Sequence, residues 1–180
     1  MHKDLKDLGL RLVLCFLPLS WIAALFTPLT ISATVLLLQI GYDPVVIGQT
    51  IIVQEKTFRI IEACVASGAY YLLWLLILLT RNITWQQRTK LVIVCWSSLW
   101  AFNVLRIVGL IVIADIGGWD AFDAVHLLLW KLVAGVAVAI IWIGAVSYYH
   151  IKSIPVYDDL KWLWQQSLFA QKNKKQQKRF

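Results

Sequence analysis

Three side chains in this sequence could together perform an acyl transfer: Cys64, Arg106 and His126. A cysteine thiolate attacks carbonyl carbons, and a neighbouring histidine can take up the thiol proton. A fixed guanidinium stabilises a thiolate or the negative oxygen that forms during the attack. Each residue alone also has an ordinary explanation. Cys64 could be a small buried hydrophobic residue, Arg106 a structural or snorkelling cation, and His126 a polar residue at the surface.

Two polar neighbours accompany these residues. Asn103 precedes Arg106 by three positions, so the two side chains share one helix face and form a polar patch. Asp123 precedes His126 by three positions. It could cap a helix or orient the imidazole, and these two roles compete.

The composition predicts an all-α integral membrane protein. The chain has 180 residues, is 60% hydrophobic and has a mean hydropathy of +0.72. Because a membrane span needs about 20 mostly apolar residues, four segments qualify as spans. They cover residues 9–27, 60–80, 91–113 and 125–149 of a single membrane domain formed by residues 1–149.

The charge pattern predicts the orientation of these spans. The net charge is +7, but the basic residues stand at helix ends, which indicates topology and not nucleic-acid binding. The loop "TRNITWQQRTK" is basic without an acid, whereas "ADIGGWDAFDAV" is acidic without a base. We therefore expect both termini in the cytoplasm of a cell-membrane protein. Cys64, Arg106 and His126 would then lie at similar depth near the outer face.

Shorter segments complete the predicted architecture. Residues 28–43 contain too short an apolar run to span a membrane, which predicts an interfacial helix on the outer face. The stretch "VVIGQTIIVQEKTFRI" is typical of a small β-hairpin. Residues 150–180 predict a cytoplasmic amphipathic helix and a basic tail that meets anionic lipids, with docking of a partner as the alternative.

Two other uses of Cys64 are disfavoured. The expected topology places Cys15 and Cys95 toward the cytoplasmic side, too far from Cys64 for a disulfide. One Cys and one His without a second pair at ligand spacing form a weak metal site.

The motifs "EACVASGAYYLLWLLILLT", "FNVLRI" and "FDAVHLLLW" follow one another in the chain and resemble those of the exosortase and archaeosortase family. The resemblance covers roughly residues 28–149. It implies that Cys64 is the nucleophile of a membrane-embedded transpeptidase and that Arg106 and His126 complete the site. In many bacterial members Ser-Gly or Thr-Gly directly follows the Cys. In this chain Val65 and Ala66 separate Cys64 from Ser67 and Gly68.

The resemblance also implies the substrates. They would be proteins that end in a short recognition motif, a hydrophobic helix and a basic cluster, cleaved through a Cys thioester and transferred to an acceptor. Two other classes stay open: a small transporter or channel subunit, in which Arg106 would serve transport, and a non-catalytic membrane assembly protein.

Overall fold

The computed structural model describes residues 2–130 and 134–166, and this part of the chain is mostly helical. Most helices are apolar, and a small sheet is inserted after the second one. The helices are α1 His2–Leu14, α2 Leu19–Leu38, α3 Glu62–Val65, α4 Ser67–Leu78, α5 Trp85–Leu128, α6 Ala134–Tyr148 and α7 Tyr157–Gln166. The strands are β1 Val45–Ile47, β2 Thr50–Val53 and β3 Lys56–Arg59.

The predicted boundaries of the first span were wrong. Residues 9–27 are not one helix, because the chain breaks between α1 and α2 and Pro18 takes the N-cap position of α2. Proline disfavours helical backbone in the preceding residue and has no N–H to continue a helix. Pro28, in contrast, lies inside α2. Residues 28–38 therefore continue α2, and the separate interfacial helix predicted over 28–43 is also wrong.

The predicted hairpin is confirmed and has a third strand. The sheet order is β1-β2-β3, and both neighbouring pairs are antiparallel. Two-residue turns connect the strands, so Val53 pairs with Lys56 and Ile47 pairs with Thr50. Ile51, Val53 and Phe58 are buried, whereas the whole of β1 is exposed.

The later spans also have boundaries that differ from the predicted ones. The segment 60–80 is interrupted at Ala66, which has left-handed backbone between α3 and α4. The segment 91–113 belongs to the 44-residue α5, which bends at Gly118 with φ 75° and ψ −175°. Glycine tolerates this backbone because it lacks a Cβ. Residues 125–128 extend α5, so the last predicted span is reduced to α6.

Among the described residues, two helices, α2 and α5, are long and apolar enough to cross a membrane, whereas α4 and α6 have 12 and 15 residues. An aromatic cluster packs α2, α4 and α5 together: the Phe26 ring stacks on Tyr70 with 4.1 Å between centroids, and both contact Trp96. The amphipathic helix predicted after residue 150 corresponds to α7, on which Leu160 and Leu163 are exposed. Leu168 and the basic tail lie outside the described residues.

Candidate active site

The break between α3 and α4 determines how Cys64 is presented. Ala66 ends α3 with φ 60° and ψ 36°, so the helical hydrogen-bond ladder stops one turn after it begins. The carbonyl groups at the end of a helix have no intrahelical partner and need other donors. The backbone carbonyl of Cys64 is one of these groups. The Cys64 side chain is half-buried. The local backbone therefore leaves an unpaired acceptor beside the thiol.

Two side chains of α5 supply the missing donors. The Asn103 amide donates to the Cys64 carbonyl oxygen at 3.0 Å, and Arg106 Nη2 donates to the same oxygen at 2.8 Å. Asn103 is 1% exposed and Arg106 is 8% exposed. The predicted polar patch thus exists, but it contacts the backbone of Cys64. The Arg106 Nε is buried and has no hydrogen-bond partner among the described residues.

The bend at Gly118 brings the end of α5 to the same place. After the bend, the helix carries Phe122, Asp123 and His126, and the His126 and Phe122 ring centroids are 5.2 Å apart. Asp123 cannot cap a helix here because the residues on both sides of it are helical, so that predicted role was wrong. Within the described residues, no hydrogen bond joins Asp123 to His126.

Two cavities meet at Cys64, and three residues, Ile61, Cys64 and His126, line both of them. The first, which we call the lateral cavity, has about 400 Å³ and is also lined by Ala63, Asp123, Leu127 and Trp130. The second, the strand cavity, has about 270 Å³ and is also lined by residues 57–60, Arg106, Ile107, Leu110, Ile111, Trp119 and Phe122.

The structure places four of the five predicted site residues around the two cavities and the fifth behind them. Cys64, Arg106 and His126 share the strand cavity, and Asp123 joins Cys64 and His126 at the lateral cavity. Asn103 lies behind Cys64 and lines neither cavity. A histidine, a thiol and a guanidinium around one space can carry out acyl transfer. Among the described residues, no group of three His, Cys, Asp or Glu side chains is arranged to hold a metal ion.

Sequence reasoning missed the aromatic wall of the strand cavity. The Phe58 ring lies 5.5 Å from Trp119 and 6.1 Å from Phe122, measured between centroids, and all three residues line the cavity. Trp119 and Phe122 lie within the acidic stretch "ADIGGWDAFDAV", which the sequence predicts to be a connection between spans. The available signal was their spacing of three, which is typical of one helix face.

Comparison with known proteins gives one match. The family model described as transmembrane exosortase (Exosortase_EpsH) matches residues 7–143, about three-quarters of the chain. The match contains Cys64, Arg106 and His126, and it confirms the resemblance predicted from the three motifs. No curated protein and no solved structure matches the chain.

Proposed function

Because this chain belongs to the transmembrane exosortase family, whose members are generally cysteine transpeptidases, we propose that Cys64 is the nucleophile of a sorting reaction. The chain is an integral membrane protein by the same membership. The observation that carries the proposal is the strand cavity, around which α3 contributes Cys64 and the two parts of the bent α5 contribute Arg106 and His126.

The proposed reaction has two steps. The Cys64 sulfur attacks the carbonyl carbon of the scissile peptide bond, and the C–N bond breaks to leave a thioester on the enzyme. The departing nitrogen takes a proton and leaves with the hydrophobic anchor of the substrate. An amine, a lipid group or water then attacks the thioester, and Cys64 recovers its thiol. Neither step requires a metal or an organic cofactor.

His126 is the proposed proton carrier. It accepts the Cys64 proton during the attack and delivers a proton to the departing amine. In the described part of the chain, no hydrogen bond joins its ring to the Cys64 thiol. Proton transfer therefore requires a side-chain rotation or a bridging water.

Arg106 has two proposed tasks. One amino group holds the Cys64 carbonyl at 2.8 Å, which positions the backbone that carries the thiol. The remaining donors of the guanidinium would stabilise the oxyanion that forms when the sulfur attacks. A planar group with five N–H donors can perform both tasks at once, whereas an ammonium cannot do so in the same geometry.

The proposed topology has four spans, α2, α4, α5 and α6, with both termini in the cytoplasm and the site near the outer face. The position of Arg106 supports this depth. It lies 18 residues after Arg88 on α5, which corresponds to about 27 Å of helix. This length approaches the thickness of a hydrocarbon core, about 30 Å. If Arg88 marks the inner boundary, Cys64 lies near the outer one.

The proposed substrates are proteins with a carboxy-terminal sorting signal: a short motif, an apolar helix and a basic cluster. Such a helix would insert with its basic end inside the cell and present its motif at the level of Cys64. The exposed apolar residues of α7 and the basic tail would meet membrane lipids on the cytoplasmic side.

The test is co-expression with a candidate substrate of this design, followed by intact-mass analysis of substrate and enzyme. We expect the native enzyme to remove the substrate's carboxy-terminal helix, with an added mass that identifies the acceptor. Cys64→Ala should accumulate in the membrane without cleaving, and Cys95→Ala is the matched cysteine control that should still cleave. Cleavage by Cys64→Ala would mean that another residue is the nucleophile. An intact substrate with native enzyme, over several motifs, would favour an assembly role.

A further inference from the structure

The edge of the small sheet leads directly to Cys64. β3 is an edge strand, because the sheet order is β1-β2-β3. Residues 57–61, which comprise most of β3 and the two residues that follow it, line the strand cavity together with Cys64. Ile61 then becomes the N-cap of α3, and Cys64 is the third residue of that helix. A peptide lying along β3 would therefore end at the thiol.

The strand register identifies the backbone groups at this edge. Val53 and Lys56 flank a two-residue turn and form a hydrogen-bonded pair, so the next hydrogen-bonded residues of β3 are Phe58 and then Ile60. The Ile60 N–H indeed donates to the Gln49 carbonyl at 2.8 Å. The N–H and C=O groups of Thr57 and Arg59 must then face away from β2. Among the described residues, no backbone hydrogen bond uses them.

β3 also has a defined direction relative to α5. Lys56 Nζ, at its beginning, donates to the carbonyl oxygen of Ala114 at 2.9 Å and contacts Asp115. The other end of the segment reaches Cys64, whose carbonyl is held by Arg106. Arg106 precedes Ala114 by eight residues on α5, about 12 Å of helix. β3 therefore runs from the end of α5 that we propose is outside toward the membrane.

From these observations we propose that the substrate's recognition segment binds as a fourth strand on the free edge of β3, parallel to it. The proposal rests on the proposed function, which puts the substrate's amino-terminal body outside and its anchor helix in the membrane. The chain of the substrate then runs inward, in the same direction as β3. Main-chain bonds to Thr57 and Arg59 would satisfy backbone groups that lie close to lipid, where unpaired groups are costly.

This arrangement also assigns the two cavities. The strand cavity receives the residues before the scissile bond, with alternate side chains facing the aromatic wall of Phe58, Trp119 and Phe122. The lateral cavity then lies beyond the scissile bond, where the released anchor helix departs and the acceptor enters. Cys64 and His126 line both cavities. This position suits residues that act on the acyl part of the substrate in one cavity and on the leaving amine in the other.

The first test removes one edge N–H while leaving the bonds to β2 intact. Thr57→Pro is expected to lower cleavage of a substrate that the native enzyme processes by roughly tenfold or more, because proline has no N–H. Val46→Pro is the matched control: its N–H faces the outer edge of β1 by the same register. It should cleave at the native rate. Thr57→Val keeps the N–H and should cleave faster than Thr57→Pro.

A cross-linking scan tests the same edge without relying on activity or on proline. In Cys64→Ala, Cys15→Ala enzyme with the buried Cys95 kept, Thr57→Cys or Arg59→Cys is paired with single cysteines along the substrate motif. Parallel pairing predicts disulfides at alternate substrate positions, with those to Arg59→Cys nearer the scissile bond.

The outcomes separate this inference from the proposed function. If the native enzyme does not cleave the substrate, the proposed function fails before the edge is tested. If it cleaves while Thr57→Pro matches it, or while Val46→Pro loses as much activity, the pairing is overturned. Disulfides in the reverse order along the motif, or none at either position, would contradict parallel binding to β3.

Discussion

The two ends of the helix bundle use buried arginines in different ways. At the start of α5, Arg88 Nη1 donates to the carbonyls of Ile77 and Leu78 at 2.5 and 3.0 Å, and Nη2 donates to Thr80 at 2.7 Å. These bonds pair carbonyls at the end of α4, where intrahelical donors run out, and the Leu78 carbonyl also accepts from Arg11 Nη1 at 3.2 Å. Eighteen residues further, Arg106 makes one such bond and borders a cavity. Arg88 therefore has a structural role, because its amino groups bind backbone carbonyls at the end of α4 and just after it.

In the part of the chain that the structure describes, carboxylates pair with arginines at one end of the bundle and not with Arg106 at the other. Arg11 makes two hydrogen bonds to Asp159, at 2.7 and 3.2 Å, and Arg81 lies 3.9 Å from the same carboxylate. This ion cluster joins α1 and α7 to the loop after α4. Among the described residues, no carboxylate forms an ion pair with Arg106. The difference teaches that a buried arginine indicates a reactive site when its donors are left unused beside a cavity, not merely because it is buried.

The largest effect is expected when each arginine is replaced by lysine. Arg106→Lys should lower cleavage roughly 1000-fold, because an ammonium cannot hold the Cys64 carbonyl and also stabilise an oxyanion. Arg88→Lys should lower thermal stability in detergent, with cleavage per folded molecule near that of the native enzyme. The measurement is the cleavage rate normalised to folded protein. Equal losses of activity in the two variants would remove the distinction between the two ends.

Loss of the ion cluster of Arg11, Arg81 and Asp159 should lower stability and leave catalysis unchanged. Asp159→Asn leaves Arg11 and Arg81 without their shared carboxylate, and breaking a buried ion pair costs about 3 kcal/mol. We expect this loss in the free energy of unfolding, measured in mixed detergent micelles. Cleavage per folded molecule should be unchanged. A loss of catalysis at native stability would show that α1 and α7 influence the site around Cys64.

That Cys64, Arg106 and His126 lie around one cavity could be predicted from the sequence, because depth in a membrane is a strong constraint. Three polar residues near the ends of three apolar segments must lie at similar depth if the segments alternate in direction. The sequence could not predict that Arg106 and Asn103 hold the Cys64 carbonyl. That contact depends on the left-handed backbone of Ala66, and alanine rarely adopts it, so no turn signal marks the break.

The fold was predicted less well where the sequence is uniformly apolar. Hydropathy identifies a long apolar run, but it does not show which proline interrupts the helix. Pro18 lies at the break between α1 and α2, as the N-cap of α2, whereas Pro28 lies within α2. The bend in α5 was interpreted as a loop because Gly117 and Gly118 stand beside three aspartates. The chain is helical on both sides of Gly118 and departs from helical backbone at that residue, which local composition does not report.

The smallest effect is expected at Asn103, and it separates positioning from chemistry at the Cys64 site. Asn103→Leu removes one of the two donors to the Cys64 carbonyl, while Arg106 still pairs it. We expect cleavage to fall about tenfold, near the cost of one weakened hydrogen bond to a buried acceptor. Because Asn103 lines neither cavity, kcat should fall while KM stays constant, and Asn103→Gln should recover part of the rate. A raised KM with unchanged kcat would instead place Asn103 in contact with the substrate.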